Sequence, residues 1–274
     1  MKILFISAPK AIESQEILEP LFATPPTTHL WLAAVLIREG YEVVILDAIA
    51  KNFSAQEIIR SVAHEQPDVV GFTVFTCAFY DVVYLANKLK EQNPQLVIMA
   101  GGYHANSVPD DFKQPCFDYT IVGEGERSFV QLLNGLRDQK EELHLVPNLI
   151  YFDRHNQIWQ QNPPAPYIPS FDDHPILPYS LVADIRYNTW WTTIDHDKHK
   201  FMAIVTGKGC PMECSFCDIS KTEGYKYRMM SAERVIQELE HLISLGFTHI
   251  EIRDPLFMIS TNRVARIAQK IIQR

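Results

Sequence analysis

Over roughly the first 137 residues, short apolar runs alternate with segments whose apolar positions recur at helical spacing. That alternation predicts an α/β fold, a parallel sheet with helices on its faces. The predicted strands are Lys2–Ser7, Glu42–Leu46, Val69–Val74, Leu96–Ala100 and Tyr119–Val122. Leu30, Trp31, Ala34, Val35 and Ile37 predict a helix over Thr28–Glu39, ended by Gly40 where φ must turn positive. Ser54 is the expected N-cap of the next helix, whose apolar face carries Ile58, Ile59 and Val62.

Ligands of such sheets sit beyond the carboxyl ends of the strands. The residues predicted there are Ser7-Ala8-Pro9, Asp47, Thr73 through Thr76 and Cys77, Gly101-Gly102-Tyr103-His104 and Gly123-Glu124-Gly125. Glycines and small side chains at these ends let a large flat ligand or a phosphate approach the backbone. They serve equally well as tight strand-to-helix turns.

The pattern breaks over residues 138–200, where Pro163, Pro164, Pro166, Pro169, Pro175 and Pro178 disfavour regular helix. Asn148–Phe152 and Gln157–Gln160 can pair as a hairpin around Asp153–Asn156. The region reads as a connection packed on both domains. His196 and His199 in its last stretch read as part of a solvated loop, with metal ligation the alternative. A second βα pattern occupies residues 201–274: a strand over Phe201–Val205, a helix from the N-cap Ser231 to Leu245, and a strand over His249–Ile252.

With 274 residues, 47% hydrophobic and 21% charged, the chain is long enough for two ordinary globular domains. A net charge of −8 argues against a general nucleic-acid binder. The apolar run at Met1–Pro9 is too short for a signal peptide, and no stretch reaches membrane-spanning length. Five cysteines, three of them in one loop, fit a reducing cytosol, so the expected location is cytoplasmic. Cys77 reads as a loop or pocket thiol and Cys116 as a structural one.

Candidate chemistry concentrates in Thr206–Cys217, where Cys210, Cys214 and Cys217 follow the apolar run at C-x3-C-x2-C spacing. Three thiolates so close in sequence can reach one inorganic centre. A cubane iron–sulfur cluster is normally held by four thiolates, so three leave one iron open to an outside molecule. Zinc is the rival, although structural zinc loops usually bring a C-x2-C pair plus two further ligands. No second pair of that kind lies near Cys210.

The cysteine loop resembles that of radical S-adenosylmethionine (SAM) enzymes, including Gly209 before the first cysteine and the aromatic Phe216 before the last. The resemblance implies a [4Fe-4S] cluster on Cys210, Cys214 and Cys217 that binds and reductively cleaves SAM. Arg253-Asp254-Pro255 resembles the family's motif after the second barrel strand, so Phe216 and Asp254 are expected at the SAM site. Arg228 matches a basic residue of the family, but Met229-Met230 stand where relatives often carry another arginine. The first segment resembles the cobalamin-binding domain that precedes the barrel in B12-dependent radical SAM proteins. Pro25-Pro26, Gly40 through Asp47, Gly101 through His104 and Val122 through Glu126 carry that likeness.

The implied fold is a Rossmann-like, flavodoxin-like domain over residues 1–137, followed by the first βα units of a partial TIM-type radical SAM barrel over residues 201–274. Expected corrin contacts are Pro9, Asp47, Thr73, Thr76, Gly101, Gly102, Tyr103, His104, Gly123, Glu124 and Gly125. Asp-x-His-x-x-Gly, which supplies a lower cobalt ligand elsewhere, is missing. His104 is therefore expected to bond the corrin edge or a backbone carbonyl instead of cobalt. The implied activity is methyl transfer, radical rearrangement or cyclisation on a small molecule, with a flavodoxin or ferredoxin as electron donor. A non-catalytic cobalamin-binding protein and a structural zinc protein are the alternatives. Residues 1–137 are expected to fold by themselves, because their five strands and helices can form a core; only two βα units of the barrel are visible. The second domain is expected to need further strands, for instance from a second chain.

Overall fold

The computed structural model describes residues 1–8, 23–140, 142–187 and 199–274. The chain divides into two compact units, Met1–Pro20 with Trp31–Pro166 and Leu21–Leu30 with Tyr167–Arg274. In chain order the first sheet and its helices are β1 (Lys2–Ser7), α1 (Thr27–Arg38), β2 (Glu42–Asp47), α2 (Ala55–Glu65), β3 (Val69–Thr73), α3 (Phe79–Gln92), β4 (Val97–Gly101), α4 (Tyr103–Ser107), β5 (Tyr119–Ile121), α5 (Glu126–Arg137), β6 (Leu149–Asp153) and β7 (Ile158–Gln161). Strand order is β2-β1-β3-β4-β5-β6-β7. The first five strands are parallel, the flavodoxin-like arrangement, and the expected strand bounds hold to within a residue.

Side-chain alternation explains the layering. Leu4, Ile6, Val70 and Phe72 point to the face where Ile58, Val62, Val82 and Leu85 of α2 and α3 pack. Phe5 points to the other face and meets Phe129 of α5 at 5.5 Å between ring centroids. Gly71 lies beneath that ring, because β3 must pass Phe5 with no side chain of its own. Ser54 caps α2 with a full capping box, its hydroxyl receiving the Glu57 N–H while Glu57 reaches back to the Ser54 N–H.

The expected hairpin forms, but it is part of this sheet and not just a connection. β6 pairs antiparallel with β5, and β7 with β6. Leu149 and Ile150 are fully buried, so the edge of β5 and the apolar half of β6 cover one another. Asp153 closes the turn by accepting from the N–H groups of His155 at 2.9 Å and Asn156 at 3.1 Å.

The second unit holds β8 (Phe201–Ile204), β9 (Gly207–Lys208), α6 (Ile219–Glu223), β10 (Arg228–Met229), α7 (Ala232–Ser244), β11 (His249–Ile252) and α8 (Thr261–Ile272). β8 and β11 are parallel, while β9 and β10 form a short antiparallel ribbon. Ser231 caps α7, as expected, by receiving the Arg234 N–H. The proline-rich stretch after Pro166 has few backbone partners of its own, and buried arginines take up its carbonyls. Arg234 Nη2 donates to His174 O at 3.0 Å and Pro175 O at 2.9 Å, and pairs with Glu238 at 2.7 Å. No described helix is long and apolar enough to cross a membrane.

A Cβ at Gly71 would stand 2.8 Å from Phe5 Cδ1. Gly71→Ala is therefore expected to cost about 1–3 kcal/mol of stability through overpacking. Urea denaturation of the full chain checks this, and an unchanged midpoint would show that Phe5 moves aside freely.

Candidate functional site

In the first unit the carboxyl ends of β3, β4 and β5 come together as one surface. At the β4 turn, Gly102 has φ +98°, and a Cβ there would stand 3.0 Å from both Thr73 Cγ2 and Val74 N. Only glycine fits both the backbone sign and the space. Gly123, also left-handed at φ +99°, donates its N–H to Asn106 Oδ1 at 2.6 Å, which ties the β4 turn to the β5 turn. Asn148, itself at φ 63°, donates to Glu124 O at 3.1 Å and accepts from Ala165 N at 2.8 Å. Sequence reading missed both asparagines. Only the tolerance of asparagine for left-handed backbone could have pointed to Asn148.

His104 is 4% exposed, with its ring against Phe79 at 4.5 Å and Phe112 at 5.5 Å between centroids. Both ring nitrogens are engaged, Nδ1 with Thr76 Oγ1 at 3.2 Å and Nε2 with Asp111 Oδ2 at 3.1 Å. Asp47 is 1% exposed and accepts from Ala50 N at 3.1 Å, so it locks the turn after β2. The rings of Phe75 and Tyr103 face outward. They stack at 5.5 Å with an interplanar angle of 21°, and are 50% and 37% exposed. Thr73, Gly101, Gly125 and Glu124 are half-buried along the same strand ends. Pro9 lies outside the described residues, as does His196. The rings of His199 and His249 meet at 4.0 Å between centroids, tilted by 51°.

In the second unit the cysteine loop leaves the end of β8 through the β9–β10 ribbon. Gly209 has φ +86°, donates to Glu223 Oε2 at 3.1 Å, and is followed by the Cys210 N–H donating to Gly224 O at 3.0 Å. Cys214 is exposed, and the half-buried Cys217 donates its N–H to Cys214 O at 3.1 Å. Phe216 is 91% exposed. Among the described residues, no three His, Cys, Asp or Glu side chains form a group able to hold a metal ion. Arg228 is spent on structure, its guanidinium over Tyr167 at 4.7 Å and donating to Ile168 O and Glu223 O.

Asp254, with its side chain fully buried, is the hub of this end. Its Oδ1 accepts from Thr206 N at 2.5 Å and Gly207 N at 3.0 Å, and its Oδ2 from Thr206 Oγ1 at 2.6 Å and Tyr227 Oη at 2.7 Å. Arg263 Nη1 stands 3.8 Å from the carboxylate, while Nη2 donates to Thr206 Oγ1 at 2.6 Å and Nε to Met230 O at 2.7 Å. Burial, and then the adjacent carboxylate, push the Tyr227 hydroxyl far above the usual tyrosine range. Tyr227 and Arg263 have no sequence signal that would have singled them out, and Thr206, although it opens the cysteine stretch, carries none for its bond to Asp254.

Residues 18–133 match the family model of the B12 binding domain. An uncharacterised methyltransferase of Pyrococcus horikoshii is 31% identical over 276 residues, covering 100% of this chain and 57% of that protein. The cobalamin-dependent radical SAM methyltransferase TokK of Streptomyces tokunonensis is 28% identical over 204 residues, covering 71% of this chain and 29% of that one. Among solved structures, the cobalamin-dependent S-adenosylmethionine radical enzyme OxsB, with aqua-cobalamin and S-adenosylmethionine bound, is similar with a TM-score of 0.81 at 17% identity. That match covers 100% of this chain and 37% of OxsB. At that identity the likeness speaks for the fold.

Fold and comparisons together define a Rossmann-like B12-binding domain, followed by βα units whose fold is similar to that of OxsB. Residues 18–133 carry a B12 binding domain, and the proteins this chain is similar to include ones named as methyltransferases and cyclases. The chain spans little more than half the length of the Pyrococcus relative, 57%.

Burial pushes the Cys116 thiol up to about 11, while Cys77 and Cys214 are exposed. Iodoacetamide at pH 8 is expected to label Cys77 and Cys214 well before Cys116, by peptide mass spectrometry. Equal labelling of Cys116 would mean that its surroundings open readily.

Proposed function

We propose that this chain is the cofactor-binding portion of a cobalamin-dependent radical SAM enzyme acting on a small molecule by methyl transfer, rearrangement or cyclisation. The observation that carries this reading is the place of the cysteine loop. It leaves the carboxyl end of a buried parallel strand, held at its root by a ribbon and open beyond Cys210. The donor set fits a four-iron cluster: three thiols outside any disulfide, each at least partly accessible. Cys210, Cys214 and Cys217 would hold it, with Phe216 beside the SAM position and a flavodoxin or ferredoxin as electron donor. When bound, the cluster supplies the electron that cleaves SAM, and cobalamin supplies a methyl carrier or a partner in the radical step.

Residues 1–137 would bind the corrin and residues 201–274 the cluster. In the first unit, Gly101, Gly102 and Gly123 keep side chains away from the backbone, and the exposed Phe75–Tyr103 pair offers a flat apolar ledge. A flat macrocycle gains contact area there without displacing protein. His104 stays on Thr76 and Asp111, and so holds the β4 turn in place without reaching cobalt. A second reading, a cobalamin-binding protein without cluster chemistry, is favoured by the cysteines not being drawn into one group. Anaerobic reconstitution with iron and sulfide separates the two, since only the first takes up a cluster.

Cys210→Ala, Cys214→Ala and Cys217→Ala are each expected to abolish a stable four-iron cluster, whereas Cys77→Ala and Cys116→Ala leave the iron content unchanged. Iron loss in Cys116→Ala would refute this ligand set. Phe75→Ala and Tyr103→Ala are each expected to weaken cobalamin about tenfold, for ~1.4 kcal/mol of lost ring contact. Titration of the B12 absorption bands measures this. In the cob(II)alamin form, electron paramagnetic resonance should be the same in the wild type and His104→Ala. A nitrogen splitting that vanishes in the variant would make His104 a cobalt ligand.

A further inference from the structure

Asp254 has no lone pair to spare. A carboxylate offers about four lone-pair sites, and Thr206 N, Gly207 N, Thr206 Oγ1 and Tyr227 Oη fill them at 2.5–3.0 Å. Its side chain is fully buried, with Arg263 as the nearby cation. A contact from Asp254 to a ligand ammonium group would have to break one of these bonds inside the protein. A buried donor left unpaired costs its full desolvation penalty.

The donors belong to the approach to Cys210. Thr206 and Gly207 are the residues through which the chain passes from β8 into the cysteine loop. Slack is excluded on that path. A Cβ on Gly207 would overlap the Tyr227 hydroxyl, and one on Gly209 would overlap the Lys226 carbonyl. Arg263 closes the network from α8 by donating to Thr206 Oγ1, while Met230 N donates to Thr206 O at 2.8 Å. The ends of β8 and β11, the β10 strand and α8 are thereby fastened at one point. Cys214, farther along the loop, is exposed.

We propose that Asp254 is a positioning residue that fixes the root of the cysteine loop and thereby places Cys210, and that it does not contact SAM. The proposal rests on the cluster reading given above for what Cys210 holds. The anchoring itself concerns only this chain's hydrogen bonds, so it can be tested without any metal.

Two measurements on the full chain decide it. In metal-free protein, Asp254→Ala is expected to speed hydrogen exchange of the Thr206 and Gly207 amides at least about tenfold, leaving β1 to β5 unchanged. Unchanged exchange at those amides would overturn the proposal. In reconstituted protein, the reduced cluster is examined by electron paramagnetic resonance with SAM omitted. Asp254→Asn and the milder Tyr227→Phe are expected to shift that spectrum in the same direction, because both loosen the same root. Wild-type spectra for both variants, with SAM affinity lost only in Asp254→Asn, would make Asp254 a direct SAM contact and overturn the proposal. Should the wild type itself take up no iron, the cluster reading fails, and amide exchange alone still decides the anchoring.

Discussion

A parallel sheet must be covered on both faces, because the crossovers that make it parallel lay helices over each of them. Everything in the first unit follows from that constraint. Ile3 through Ile6 are at most 1% exposed, since β1 lies between β2 and β3 with helices above and below. Each crossover returns the chain to the same edge, so every parallel strand ends on one side of the sheet. Residues as distant in sequence as Asp47, Thr73, Gly102 and Gly123 are gathered there without any interaction chosen for that purpose. The order β2-β1-β3 reverses direction between β1 and β3, and such a reversal opens the crevice in which doubly wound folds bind ligands.

Turns at those ends expose backbone N–H groups that neither strand nor helix satisfies. Both units meet the need in the same way, with an amide or carboxylate side chain from a neighbouring turn. Asn106 receives the Gly123 N–H, and Asp254 receives those of Thr206 and Gly207. Glycine at the donating turn allows the close approach, and the accepting side chain then holds that turn in one conformation. A surface made of such turns can be rigid while presenting little but backbone to a ligand.

Adjacent residues at the β4 turn divide the work. His104 points inward, where Phe79, Phe112, Thr76 and Asp111 surround its ring. Tyr103 points outward and stacks on Phe75. An inward histidine with both nitrogens engaged stiffens the turn, and an outward aromatic pair leaves apolar area facing solvent. Exposed aromatic surface beside a glycine-lined strand end is a common property of ligand sites.

The sequence by itself determined the five parallel strands, the caps at Ser54 and Ser231, and the hairpin over residues 148–160, because each is written in local periodicity and turn chemistry. It also marked Cys210, Cys214 and Cys217, whose spacing is a local property. Only the tertiary structure decided that the hairpin extends the first sheet, since its apolar residues gave no hint of which edge they would cover. Only the structure showed Asp47 turned into its own loop and Asp254 turned toward Thr206, Gly207 and Tyr227. A carboxylate in a sequence motif carries no record of how many donors will surround it. Those donors come from Thr206, Gly207 and Tyr227, which only folding brings to Asp254, and the direction in which a polar side chain spends its lone pairs is settled there.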